Sequence, residues 1–278
     1  QRSWSYNENG KVSSYTYNRY ENGQLQGSYE YTGYTYDSNG RLTSYTRTDK
    51  DASGNTLRSY EYANRTYYDN GKLKSFDRTD RDSSGNITGQ RSWSYNENGK
   101  VSSYTYNRYE NGQLSGSYEY SNYTYDSNGR RTGYTRTDKD ASGNTLRSYE
   151  YSGYTYDSNG RVSGYSRTDK DASGNVTRSY EWSNIQRDSN GRTLSYNLTQ
   201  KDSSGNTVYN YSYSNYTYNS QGRVTSYTAK RYNSDGNFSY WYDYSNRTYD
   251  SSGHLTGYDW VRRDENGNVI SSGHWPSN

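Results

Sequence analysis

The chain has 278 residues and a net charge of +3, from 33 basic and 30 acidic residues. Leu, Ile, Val and Phe together supply only 22 residues, which excludes an oil-filled core of the usual kind, while 41 tyrosines argue against disorder, because disordered chains are poor in aromatics. The absence of Cys removes disulfides and thiolate metal sites, the balanced charge offers no basic patch for nucleic acid, and no apolar run is long enough for a transmembrane segment. The chain starts at Gln1 and has no Met, which implies a removed leader or a piece of a longer protein.

In chain order, the first predicted strand with a clear period of two is SYTYN (14–18), with Tyr15 and Tyr17 on one face. ENGQ (21–24) follows as an Asn-Gly turn. The next strand carries Tyr29 and Tyr31, then the small pair Thr32-Gly33, then Tyr34 and Tyr36 with shifted parity. One inserted residue would carry the later tyrosines back to the first face, so the pair predicts a bulge, with a tight hairpin at the pair as the alternative. DSNGR (37–41) and DASGN (51–55) place Asp first and Gly fourth, as a type I turn with a G1 bulge requires. Between them YTRTD (45–49) aligns Tyr45, Arg47 and Asp49. After them LRSYEY (57–62) puts Tyr60 and Tyr62 opposite Ser59 and Glu61.

The pattern then repeats. Residues 1–25 recur unchanged at 90–114, and turn glycines run from Gly10 to Gly267 with alternating long and short gaps. Small pairs recur at 63–64, 121–122, 152–153, 183–184, 214–215 and 245–246. The gap between Gly85 and Gly99 is shortened and lacks the pair. The expectation is all-β: an extended antiparallel β-meander, a solenoid-like repeat sheet of about nine units of about 31 residues with two hairpin turns each. Residues 1–278 are read as a single repeat domain with a non-repeat tail at 271–278, whose Pro276 ends the sheet or latches a neighbour.

YDSNGRLTSYT (36–46) carries a Tyr-Asp-x-x-Gly-Arg-Leu/Val pattern, at Tyr36-Asp37-Gly40-Arg41-Leu42, Tyr125-Asp126-Gly129-Arg130, Tyr156-Asp157-Gly160-Arg161-Val162 and Tyr249-Asp250-Gly253. In these motifs the chain resembles the YD (Rhs) repeat family. That resemblance implies a bacterial secreted or cell-surface protein whose hairpins build a long antiparallel sheet. The period here is longer than the family's, and no non-repeat toxin segment follows, so an extended sheet is expected rather than a shell.

Candidate chemistry is repetitive. Four turns read D-x-D-x-S-G-N: Asp49/Asp51/Ser53, Asp80/Asp82/Ser84, Asp138/Asp140/Ser142 and Asp169/Asp171/Ser173. Oxygen ligands at positions 1, 3 and 5 resemble the start of a calcium loop, but Tyr60 stands where a bidentate Glu is needed and a Lys or Arg sits inside each loop. The competing reading is a turn capped by its own Asp. Apart from calcium there, no cofactor is expected. His254 and His274 have no evident carboxylate partner and make a weak metal or base pair. Acidic pairs such as Glu61 and Asp69 recur in every unit, whereas catalytic carboxylates need one singular environment. No enzyme is expected.

Trp4, Trp93, Trp182, Trp241 and Trp260 lie in strands among tyrosines and are candidate glycan contacts, or else pack on neighbouring strands. Sequons at Asn64, Asn122, Asn215 and Asn246 are candidate glycosylation sites. The first expectation for function is an extracellular structural repeat protein, a surface fibre or matrix component that self-associates through sheet edges into a homo-oligomer or filament. The second is a carbohydrate-binding adhesin using Tyr and Trp platforms.

Overall fold

A computed structural model describes residues 1–276; the last two residues of the 271–278 tail lie outside the described residues. Among the described residues there are nineteen strands and no helix. The chain divides into two compact units, Gln1–Arg130 with Tyr134–Leu146, and Arg131–Gly133 with the residues from Arg147 onward.

The first unit contains β1 (Arg2–Tyr6), β2 (Val12–Glu21), β3 (Gln24–Tyr36), β4 (Leu42–Asp51), β5 (Thr56–Tyr67), β6 (Leu73–Arg81), β7 (Ile87–Tyr95), β8 (Val101–Glu110), β9 (Gln113–Tyr125) and most of β10 (Arg131–Lys139). From β1 to β9 each strand pairs antiparallel with the next. The second unit contains most of β11 (Thr145–Tyr156), then β12 (Val162–Lys170), β13 (Val176–Arg187), β14 (Thr193–Lys201), β15 (Thr207–Tyr218), β16 (Val224–Asn233), β17 (Phe238–Tyr249), β18 (Leu255–Arg263) and β19 (Val269–Trp275), again paired in sequence. The meander expected from the turn spacing is what the chain adopts.

The turns explain the regularity. In DASGN the Asp51 carboxylate accepts from the N–H groups of Ser53 (2.9 Å) and Asn55 (2.8 Å), while Gly54, at φ +86°, donates its N–H to the Asp51 carbonyl (3.2 Å). Any L side chain is strained there, and Gly is not. ENGQ is a different turn. Asn22 and Gly23 both have positive φ, and Glu21 pairs directly with Gln24, so the connection is a two-residue type I′ hairpin.

The small pairs are bulges. Thr32 faces Thr46 and Thr35 faces Ser44, which leaves Gly33 and Tyr34 opposite Tyr45 alone. The second member of each pair takes positive φ, as Gly33 (65°), Asn64 (54°) and Asn215 (57°) show; Asn tolerates this because its side chain bonds locally. β7 lacks the pair and runs in unbroken register along β6 from Ser75↔Ser94 to Asp80↔Gly89.

Within each unit the described strands pack only on their sequence neighbours, so no second layer covers either face. Ala229, at 6% exposure, is the only buried apolar residue among those described; Asp49 and Asp138, at 3%, are more deeply buried than it is. Gly27 of β3 sits tightly against the backbone of β4. At φ +147° its added Cβ would lie 2.4 Å from the Lys50 carbonyl oxygen. Gly27→Ala should therefore destabilise the first unit by about 2 kcal/mol, whereas Asn64→Gly, at an open bulge, should change stability by only about 0.5 kcal/mol. Urea unfolding followed by tyrosine fluorescence checks both.

Candidate functional site

The face built by alternate residues holds three parallel rows. The first is aromatic. Trp4, Tyr15, Tyr31, Tyr45, Tyr62, Phe76, Trp93, Tyr104, Tyr120 and Tyr134 give one ring per strand in the first unit, with successive centroids 4.5 to 6.3 Å apart. In the second unit Tyr165 stacks on Trp182 (4.6 Å), Tyr196 on Tyr213 (4.7 Å) and Tyr227 on Tyr244 (4.7 Å). The bulge adds a further ring from the same strand: Tyr34 lies 5.6 Å from Tyr45, and Tyr216 lies 5.2 Å from Tyr227. Offset pairs at these separations are favourable beyond the area they cover.

The second row mixes tyrosine and arginine. The Arg47 guanidinium sits 4.3 Å from the Tyr29 centroid and 5.6 Å from Tyr60, between rings from both neighbouring strands. Arg167 lies likewise between Tyr149 (5.5 Å) and Tyr180 (4.8 Å). The third row is carboxylate. Asp49 accepts from Arg47 Nε (2.7 Å) on its own strand and from Arg58 Nε (2.8 Å) on the next. Asp80 binds Arg78 (2.6 Å) and Arg91, Asp138 binds Arg136 (2.7 Å), and Asp169 binds Arg167 (2.7 Å). Arg47 and Arg167 are thus each stacked between rings of two strands and neutralised at the edge.

The opposite face is a hydroxyl and ion-pair surface. Thr35 bonds Ser44 (2.6 Å) and Thr66 bonds Ser75 (2.7 Å) across strands, while Lys50 pairs with Glu30 and Lys139 with Glu119, each at 2.7 Å. At the bulged end several tyrosine hydroxyls stitch one strand to its neighbour's backbone. Tyr36 donates to the Val12 carbonyl (2.8 Å), Tyr67 to Leu42 (2.6 Å) and Tyr125 to Val101 (2.7 Å), beyond the point where the backbone ladder of each pair stops.

The expected calcium turns are placed as follows. Their first aspartates, Asp49, Asp80, Asp138 and Asp169, are held by arginines on the aromatic face. Their second, Asp51, Asp82, Asp140 and Asp171, cap their own turns, accepting the backbone N–H groups of Ser53, Ser84, Ser142 and Ser173. The carboxylates that would have to share a cation are bonded elsewhere, and no cluster of three or more His, Cys, Asp or Glu suited to a metal occurs among the described residues.

The expected glycan tryptophans are ring neighbours. Trp4 contacts Tyr15 (5.1 Å), Trp93 stacks on Phe76 (4.5 Å) and Trp182 on Tyr165. Trp241 lies on the hydroxyl face under the Lys230 ammonium (3.9 Å) and donates to Asp243 (2.8 Å), and Trp260 meets Tyr242 edge-on (5.8 Å). The sequon asparagines sit at the bulges. Asn64 and Asn246 donate to Asp77 and Asp259 (both 2.7 Å), and Asn122 and Asn215 to Thr135 and Thr228 (both 3.3 Å). The histidines differ from expectation. His254 faces Asp250 (3.1 Å) and His274 faces Asp259 (2.6 Å), because a four-residue turn and a cross-strand register bring carboxylates to them.

The sequence reading passes over Arg231 and Arg262. Aligning YTAKRYN (227–233) with YTRTDKD (45–51) puts Arg231 in the place of Asp49, and β18 does the same with Arg262. That alignment was the available signal.

No family model matches the chain, and no curated protein matches it. Among solved structures, a porin-like protein from Bacteroides uniformis is 17% identical, covering 94% of this chain and 88% of that one with a TM-score of 0.29. A Photorhabdus luminescens Tc holotoxin pore is 12% identical, covering 97% of this chain and 23% of that one with a TM-score of 0.15. Superpositions this loose leave function to the chain's own residues.

Burial among neighbouring rings pushes the Tyr45 and Tyr244 phenols from 10.0 up to about 12. Unfolding returns them to ordinary values, so their contribution is complete below pH 10 and is lost as pH rises to about 12. Hydrogen bonds from Asn55 and Asn144 hold Asp51 and Asp140 below 3.8, a contribution present above that value and lost as pH falls beneath it. Circular dichroism against pH should show both losses, with phenolate absorbance rising together with the alkaline one. Asp49→Ala strands two guanidinium groups and should cost about 1–3 kcal/mol in urea unfolding, with partial recovery on adding Arg47→Leu.

Proposed function

We propose that this chain is an extracellular structural repeat protein, a component of a surface fibre or matrix that extends by adding strands of its own pattern. The observation that carries the reading is the aromatic row, one ring per strand, supplied by near-identical units that each make the same contacts. Chemistry needs one exceptional environment, and here the capped turns, the aromatic row and the Arg–Asp pairs all recur. A scaffold benefits from such recurrence, because stability then grows with each neighbour added.

The outer strands suit extension. In β1, Trp4 is 50% and Tyr6 63% exposed; in β19, Val269 is 59%, Ile270 55% and Trp275 42% exposed. The next ring beyond either strand would come from a further strand of the same kind, in a longer chain or a second copy. Strand edges with free backbone groups and flanking rings are templates for such pairing. The YD-like motifs support a place at the bacterial cell surface.

Negative-stain electron microscopy and sedimentation across a concentration series test the proposal. Filaments or end-to-end oligomers that grow with concentration are expected, and Trp4→Asp with Ile270→Lys should reduce them. A uniform monomer at every concentration would remove the self-association.

A further inference from the structure

The aromatic face changes its charge in the second unit. On β4, β6, β10 and β12 the third row holds Asp49, Asp80, Asp138 and Asp169, each neutralising the arginine two residues before it. On β16 and β18 the same register position holds Arg231 and Arg262, opposite Tyr240 and Tyr242 of β17. The positions two residues earlier hold Ala229 and Trp260, so the arginines have not simply exchanged places with their carboxylates.

Neither guanidinium makes an ion pair among the described residues, and the Nε of each is shut from solvent without a hydrogen-bond partner; among the same residues the first unit has a single atom of this kind, on Arg108 of β8, whereas here two stand on alternate strands. A desolvated donor left unpaired is costly, and each side chain is only half-buried, so an oxyanion at the outer guanidinium nitrogens would supply the charge that no carboxylate here provides. The neighbouring acids are engaged or turned away. Asp202 and Asp264 cap their own turns, and the turn after β16 starts with Asn233. Asp243 lies on the opposite face with Arg263 (2.7 Å), while Asp235 and Glu265 stand at exposed turn tips.

The surroundings are aromatic. Arg231 lies 4.7 Å from the Tyr209 centroid and 5.4 Å from Tyr240, and the Tyr211 and Tyr240 hydroxyls meet at 2.9 Å. Arg231 and Arg262 are two strands apart and offset by two residues along β17, roughly 12 Å at the usual strand spacing and rise, with neutral tyrosine between.

We propose that Arg231 and Arg262, with Tyr209, Tyr211, Tyr240 and Tyr242, form a binding site for an acidic polysaccharide. The guanidinium forks take carboxylate or sulfate groups, and the phenol rings take the sugars between them. Separated charges with neutral rings between them match anionic groups on alternate sugars. A single-stranded nucleic acid carries a phosphate at every residue and needs a continuous positive groove, which this face lacks. Of the five tryptophans singled out in the sequence only Trp260 borders the site, edge-on to Tyr242, and the site does not depend on filament formation, since a monomer would bind equally.

Binding of the whole chain to immobilised hyaluronan and unsulfated chondroitin, each with a carboxylate on every second sugar, tests this, with dextran and a single-stranded oligonucleotide as comparisons. One or both acidic polysaccharides should bind, and dextran should not. The double variant Arg231→Gln/Arg262→Gln should weaken binding roughly tenfold, while Lys11→Gln/Lys72→Gln, which removes equal charge elsewhere, should change it by less than about twofold. If the Gln pair fails to fold by circular dichroism, Arg231→Lys/Arg262→Lys decides: it keeps the charge but loses the fork, and should bind more weakly than the wild type. No binding to either acidic polymer, equal binding to dextran, tighter binding to the oligonucleotide, equal weakening by the Gln and Lys11/Lys72 pairs, or no effect of the Arg-to-Lys pair would each overturn the proposal.

Discussion

Every ring in this protein has to be covered from the side. Neither unit has a second layer, so apolar area can leave water only where a side chain meets its counterpart on the next strand of the same sheet. Tyrosine suits that constraint better than leucine. Its flat ring stacks at the lateral spacing of strands, and its hydroxyl remains wet or reaches a neighbour's carbonyl. Each cross-strand pair contributes only about 0.2–1 kcal/mol, so the fold depends on repeating the pair in register rather than on any one contact.

Register is therefore the quantity the rest of the structure protects. A one-residue slip would turn the rings to the hydroxyl face and break all three rows together. The Asp-capped turns set it at one end of each strand and the bulges restore it at the other, where Tyr36, Tyr67 and Tyr125 bond across to the neighbouring backbone. The arginine row adds a second check. Arg47 fits only where Tyr29 and Tyr60 flank it and Asp49 receives its edge, so pairing is specified by charge as well as shape. The depth of Asp49 follows from this, because two arginines from adjacent strands converge on it.

The same logic gives the scaffold and the proposed glycan site a common origin. Where the carboxylate row is kept, as at Asp49 and Asp80, the arginines beside it are paired. Where Arg231 and Arg262 replace it, the stacking survives through Tyr209 and Tyr240 while the charge is left uncompensated. Repetition allows this, because neighbouring units maintain register while one region departs from the pattern.

The antiparallel meander, the turn positions and the alternation of faces were legible in the sequence, because Gly at positive φ and a side-chain period of two are local properties. The bulge at Thr32-Gly33 was legible from the parity of Tyr29, Tyr31, Tyr34 and Tyr36. The partners of charged groups were not. Asp49 and Asp51 read alike in the chain, yet one is buried between arginines of two strands and the other is bound to its own turn, and His274 gains Asp259 only through the β18–β19 register. Composition and spacing decided that tyrosine would cover tyrosine. Which carboxylate met which cation, and where a cation was left without one, was decided only when the strands were laid side by side, because those distances depend on residues far apart along the chain.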